Sequence, residues 1–186
     1  MSHTALITNG EIGSSIRTKL NKVISHVNSN TGWGSYTDDA YTSSSPLVIA
    51  AGTTVNLTNN KATVIESELP QGTTTLYDGT RLIPKAVGDV YTVTLTFKAA
   101  SSAHAGSFSI TYDKSSAGNG SNIEITKSVN TVLNVNQVQD YSLNTAFPID
   151  STALANGILL RIKSISGILS LHDFTIFINK NHEGHS

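Results

Sequence analysis

Between Gly10 and about Val27 the apolar residues Ile12, Ile16, Leu20, Val23, Ile24 and Val27 recur at intervals of three and four, the spacing of one face of an amphipathic helix. Arg17, Lys19 and Lys22 fall on the solvent side. Ser14 or Ser15 is the candidate cap, and Asn28-Ser29-Asn30-Thr31-Gly32 is the stop. Residues 5 to 9 read as a short extended lead-in. This is the one helix that the pattern predicts.

After Gly32 the period becomes two. Pro46 to Ala50 and Thr53 to Leu57 are short strands around a turn at Ala51-Gly52, with a further turn at Asn59-Asn60. Leu69 to Gly79 is a loop with a short strand at Thr74–Leu76, and Leu82-Ile83-Pro84 leads to a turn at Gly88-Asp89. Alternation is clearest at Tyr91, Val93, Leu95 and Phe97, and returns at Phe108, Ile110 and Tyr112, as in an antiparallel sheet with one buried face. Ser115 to Ser121 reads as a flexible loop. Ile123 and Ile125 begin a strand, and Val129 to Val135 continue the sheet. Tyr141, Leu143 and Phe147 form a further strand that Pro148 places at a sheet edge. Asn156-Gly157 and Ser166-Gly167 are turns around Ile158, Leu160 and Ile162, and Phe174, Ile176 and Ile178 close the sheet. Roughly eight to ten antiparallel strands with one short N-terminal helix predict an all-β sandwich or jelly roll. The expected division is a helical segment over 1–31, the β domain over 32–180 and a polar tail over 181–186.

The last strands carry apolar residues on both faces. Leu159 and Ile165 stand beside Ile158, Leu160 and Ile162, and Leu169, Leu171 and Phe177 beside Ile168 and Ile176. Strands apolar on both sides need cover on both sides. Packing of subunits about a three-fold axis would supply it; burial by the N-terminal helix or a loop is the alternative.

Composition narrows the function. The chain has 186 residues, enough for one domain with a core and a short appendage. Only 13% of residues are charged, and the formal net charge is -1, so no field draws nucleic acid. Cysteine is absent, which removes disulfides and thiolate metal sites. The first residues have neither the basic nor the apolar region of a secretory signal. No apolar run approaches the ~20 residues of a membrane span.

Two blocks near the start and several later pieces carry a resemblance. Gly10 to Asn21, with Gly13, Ile16, Arg17, Lys19, Leu20 and Asn21, resembles a motif near the start of tailed-phage fibre and head-decoration proteins. Trp33 to Leu47 resembles the entry to a domain of podovirus virion proteins. Leu69-Pro70-Gln71-Gly72, Leu76-Tyr77-Asp78, Gly88-Asp89-Val90-Tyr91, Phe147-Pro148-Ile149 and Phe174 to Ile178 follow in the same order. The resemblance implies a phage head fibre or capsid decoration protein whose jelly roll is similar to tumour-necrosis-factor and C1q heads and forms a homotrimer. It implies a virion location, with capsid or tail proteins as partners and no nucleic acid or membrane. Ile12, Ile16, Arg17, Lys19, Leu20, Asn21 and Val23 would anchor the chain to the virion, and Trp33, Tyr36 and Tyr41 would serve domain packing, with Trp33 between helix and jelly roll. No long stalk separates the two parts, which favours a short knob.

The remaining candidates for chemistry are sparse. Of six histidines only His182 and His185 are near neighbours, in a Gly/Asn/Ser tail, and a metal site needs three or four converging ligands. His172 and Asp173 are adjacent and would point to opposite faces of a strand, and no G-x-S-x-G elbow supplies a nucleophile. Asp38-Asp39 lacks the spacing of a calcium loop and suits a turn. Glu66 and Glu68 read as one exposed face. With a single tryptophan the aromatic platform of a sugar cleft is missing. The reading is therefore non-enzymatic, with no catalytic residue, metal or cofactor. A tail-associated receptor for host surface glycan and a polysaccharide depolymerase are the alternatives.

Overall fold

The computed structural model describes residues 13–130 and 134–182. Among them the chain forms an N-terminal helix α1 (Gly13–Asn30), then β1 (Gly32–Thr37), β2 (Leu47–Ile49), β3 (Thr54–Asn56), β4 (Thr63–Glu68), β5 (Arg81–Leu82), β6 (Val90–Ser101), β7 (Ser107–Asp113), β8 (Ile123–Asn130), β9 (Gln139–Pro148), helix α2 (Ser151–Asn156), β10 (Ile158–Ser166) and β11 (Leu169–His182).

All pairings are antiparallel and fall into two sheets. The first runs β4-β1-β11-β6-β9, with β2 also on β11; the second runs β3-β10-β7-β8, with β5 also on β10. From β6 onward the chain passes to the second sheet for β7 and β8, returns for β9, crosses for β10 and returns for β11. This winding is a jelly-roll sandwich.

Alternation explains the core. Tyr91, Val93, Leu95, Phe97 and Ala99 of β6 face Phe108, Ile110 and Tyr112 of β7 and Ile158, Leu160 and Ile162 of β10, all buried. Burial of each large side chain contributes about 1.5–3 kcal/mol. Phe97, Phe108 and Tyr141 pack ring on ring, with centroids 5.1–5.8 Å apart. Between Tyr77, Val93, Tyr112 and Phe147 there is no space for a water molecule.

Several elements depart from the sequence expectation. The pattern does not predict β4, because most of its residues are exposed and give no buried alternation. No strand forms at Thr74–Leu76; Tyr77 makes an isolated bridge to Leu82 instead. Asn156-Gly157 is not a hairpin turn but the end of α2. Asp150 caps this helix by accepting the Ala153 N–H at 2.8 Å, and Gly157, at φ 70, returns its own N–H to the Ala153 carbonyl. β11 continues to His182, inside the expected tail. Pro148 does lie on an edge strand, β9, where its missing N–H leaves no ladder bond unmade.

The strand β11 contains the decisive irregularity. Its register against β6 shifts between His172 and Thr175, so two residues, Asp173 and Phe174, oppose one on β6. Asp173 sits at φ 55. Its N–H donates to the Tyr41 carbonyl at 3.0 Å, and the Asp38 N–H donates to the Phe174 carbonyl at 2.9 Å. At this β-bulge β11 exchanges one neighbour, β2, for another, β1, and the inward parity flips. Leu169 and Leu171 point to the core before it, and Phe174, Ile176, Ile178 and Lys180 after it.

Candidate interaction surface

Helix α1 begins at Gly13, so Ser14 and Ser15 lie in its first turn rather than before it. Ile12 lies outside the described residues. Of the anchoring set, Ile16 and Lys19 are half-buried, and Arg17 and Asn21 are exposed. Leu20 and Val23 are 50% and 56% exposed. The side chains of Lys22, Ile24 and Val27 are outside the described set. The helix therefore presents two aliphatic side chains to water, with an exposed guanidinium beside them.

The domain-packing residues divide. Tyr36 is fully buried in the core. Its hydroxyl donates to Glu66, and Lys61 Nζ lies 5.3 Å from its ring centroid. Tyr41 is half-buried beside the bulge. Trp33, expected between helix and sandwich, stacks on Phe177 of β11, centroids 5.5 Å apart, on the outer face of the first sheet. Cross-strand register places Ile65, Ser35, Phe177, Thr94 and Asn144 in one outward row and Thr63, Thr37, Thr175, Thr96 and Ser142 in the next. These two rows are uncharged and hydroxyl-rich, with one aromatic pair and Ile65, itself 47% exposed.

The apolar residues on both faces of the last strands have a different origin from the one expected. Leu169 and Leu171 are core residues on the near side of the bulge. Leu159 does point outward, but the 115–121 loop covers it: a Cβ on Gly118 would lie 2.6 Å from Leu159 Cδ2. Ile165 and Ile168 remain exposed at the tight β10–β11 turn. Cover for most of the two-faced set comes from within one chain.

The same bulge corrects the reading of His172 and Asp173. Strict alternation would separate them, yet His172 Nδ1 lies 3.3 Å from Asp173 Oδ1. Asp173 also accepts from Lys98 Nζ at 3.0 Å. The Lys98 hydrogen bond, helped by His172, holds the Asp173 carboxyl below the usual carboxylate range. Thr96, Lys98, Asp140, Ser142 and Asp173 line an open depression of about 360 Å³ on the first sheet. It holds two carboxylates, an ammonium and the hydroxyls of Thr96 and Ser142.

Glu66 is not on a free face either. It accepts from the hydroxyl of Thr75 at 2.6 Å and the N–H of Leu76 at 3.2 Å as well as from Tyr36. Burial opposes its charge, but these bonds and Lys61 outweigh it and lower its pKa. Asp38 serves a turn, accepting the N–H groups of Ala40, Tyr41 and Asn60. The 115–121 loop, expected to be flexible, is tied to the buried Asp113 through the N–H groups of Ser115 and Gly120. Among the described residues no three His, Asp or Glu side chains converge as a metal set.

No family model and no curated protein matches the chain. Solved structures of similar shape include the vertex protein P5 of PRD1, at 13% identity and TM-score 0.47, over 82% of this chain and 74% of that one. The Eiger TNF of S. frugiperda is similar at 11% identity and TM-score 0.46, over 84% and 95%. A chain of the T13 IBDV viral particle is similar at 14% identity and TM-score 0.42, over 82% of this chain and 31% of that one.

Proposed function

We propose that the protein is a non-enzymatic structural component of a phage virion, a homotrimeric decoration or short fibre held to the capsid or tail by its N-terminal segment. The observation that carries the reading is the helix with water-facing Leu20 and Val23 ahead of a sandwich whose own core is filled. A helix apolar on a face that its neighbouring domain leaves open suits attachment elsewhere. The motif resemblance of Gly10 to Asn21 supports the virion as that partner. The uncharged part of the first sheet's outer face, with Trp33, Phe177 and Ile65, suits self-association, and symmetry would convert modest contacts into avidity.

Removal of residues 1–30 is the test. The expected result is a folded domain that no longer enters virions; retained incorporation would overturn the anchor. Light scattering tests assembly, with a trimer expected and a monomer at micromolar concentration contrary to it.

The depression at Lys98, Asp140 and Asp173 favours a second reading, a receptor for host glycan. Its carboxylates and hydroxyls suit the bonding of sugar hydroxyls. A glycan array decides: reproducible binding that Asp140→Ala removes would support this reading over passive decoration.

A further inference from the structure

The loop between β7 and β8 places an Asn-Gly pair, Asn119-Gly120, at its tip. Asn119 is exposed and Gly120 adopts φ 81. The Gly120 N–H donates to Asp113 Oδ2 at 2.7 Å. The Asp113 side chain is wholly buried, with Arg161 Nη1 3.6 Å from the same oxygen. Arg161 also crowds Gly120 itself: a Cβ there would lie 2.3 Å from Nη1. On the other side of the peptide, Asn119 Oδ1 accepts from the Ser121 N–H at 3.0 Å and from the Ser115 hydroxyl at 3.4 Å.

These contacts place a carboxylate and two hydrogen-bond donors around the Asn119-Gly120 peptide. The nucleophile is the Gly120 nitrogen, the base beside its proton is Asp113, and two donors polarise the side-chain carbonyl under attack. We propose that Asn119-Gly120 is a self-modifying site, at which the fold assists conversion of Asn119 to aspartate and isoaspartate through a cyclic imide.

The Gly120 N–H gives its proton toward Asp113, and the nitrogen bonds to Asn119 Cγ. The oxygen of the resulting tetrahedral centre is held by Ser121 and Ser115. The Cγ–Nδ2 bond then breaks, and Nδ2 leaves as ammonia with the transferred proton. Water afterwards opens the five-membered imide at either carbonyl. One opening leaves an ordinary aspartate in place of the asparagine; the other leaves an isoaspartate, whose backbone is lengthened by a methylene. Only water is consumed and only ammonia released. Arg161 sits where it can balance the negative charge that both products add beside Asp113.

A second Asn-Gly pair is an internal control. The Gly157 N–H is engaged by the Ala153 carbonyl at 2.8 Å, and Asn156 Nδ2 donates to the Lys114 carbonyl at 3.0 Å. There the nucleophile is spent on a helix cap and bonds to a carbonyl rather than a carboxylate, so the fold protects Asn156.

The full-length protein is incubated at neutral pH, native and in denaturant, and both asparagines are followed by peptide mass spectrometry, with hydroxylamine to trap the imide. In the native protein Asn119 is expected to convert several-fold faster than Asn156, and in denaturant the two rates are expected to converge. A native ratio near one, or native Asn119 slower than the denatured chain, would overturn the proposal. Ser115→Ala leaves the backbone bonds to Asp113 in place but removes the hydroxyl from both Asn119 and Asp113, and is expected to slow Asn119 several-fold without changing Asn156. An unchanged or faster rate would refute the assistance.

Discussion

Lys180 and Asp89 meet at 3.0 Å with neither side chain exposed to solvent. Lys180 stands on β11 past the bulge, in the inward series that begins at Phe174. Asp89 precedes β6, and its Oδ2 also accepts the Ala86 N–H at 2.9 Å and the Tyr91 hydroxyl at 3.4 Å. The pair closes one end of the sandwich, where the chain would otherwise bury a lone charge.

Breaking that pair is expected to be severe. Lys180→Met leaves Asp89 buried without its cation and should cost about 3–5 kcal/mol, read as a lower urea midpoint. Lys180→Met combined with Asp89→Asn removes both charges and should recover much of the loss, because the uncompensated charge, and not the missing attraction, is the larger penalty.

The bulge makes its own prediction. Asp173 holds a left-handed conformation, φ 55, which a β-branched side chain tolerates poorly. Asp173→Val should destabilise the domain by about 1–2 kcal/mol. Asp173→Gly relieves the backbone while losing the exposed Lys98 pair and the His172 contact, so its thermal midpoint should stay near that of the wild type.

Acid sensitivity should trace in part to Glu66. Its carboxyl ionises more readily folded than unfolded, because hydrogen bonds and Lys61 overcome the opposing effect of burial. Such a group stabilises the fold above the unfolded carboxyl's pKa, and the contribution is lost as pH falls through the folded one. Glu66→Gln should cost about 1.5–3 kcal/mol at neutral pH. In acid the variant and wild type should converge. Denaturant unfolding at both conditions measures the difference.

Leu20→Asp with Val23→Asp tests the helix surface without deleting it. Both sites are exposed, so unfolding of the sandwich should change by no more than about 0.5 kcal/mol. Virion incorporation should fall sharply. Incorporation equal to wild type would show that these side chains are not the contact.

A strand with a wet and a dry face was legible: β6 follows its alternation residue by residue, because the same periodicity that writes the pattern also buries it. In β7 Phe108, Ile110 and Tyr112 keep the core side, although Ser109 and Asp113 opposite them are buried too. The helix was legible from its own period, although Leu20 and Val23 of its apolar stripe face water. β4 was not, because its exposed residues carry no burial signal. The six-residue α2 is too short for a helical period, and only its Asp150 cap and Gly157 terminator marked it. Of the candidate site, Tyr36 and Glu66 are 30 positions apart, and nothing local joins them.

The alternation of apolar residues and the turn residues were sufficient for an all-β sandwich behind an amphipathic helix, since each is set by neighbours along the chain. Only the tertiary structure decided which face each residue took in β11. A single extra residue at Asp173 reverses parity, turns an apparently two-faced strand into one with a continuous core side, and carries Lys180 inward to Asp89. Parity is a property of pairing with β6, β2 and β1, strands remote in sequence, and no local pattern contains it.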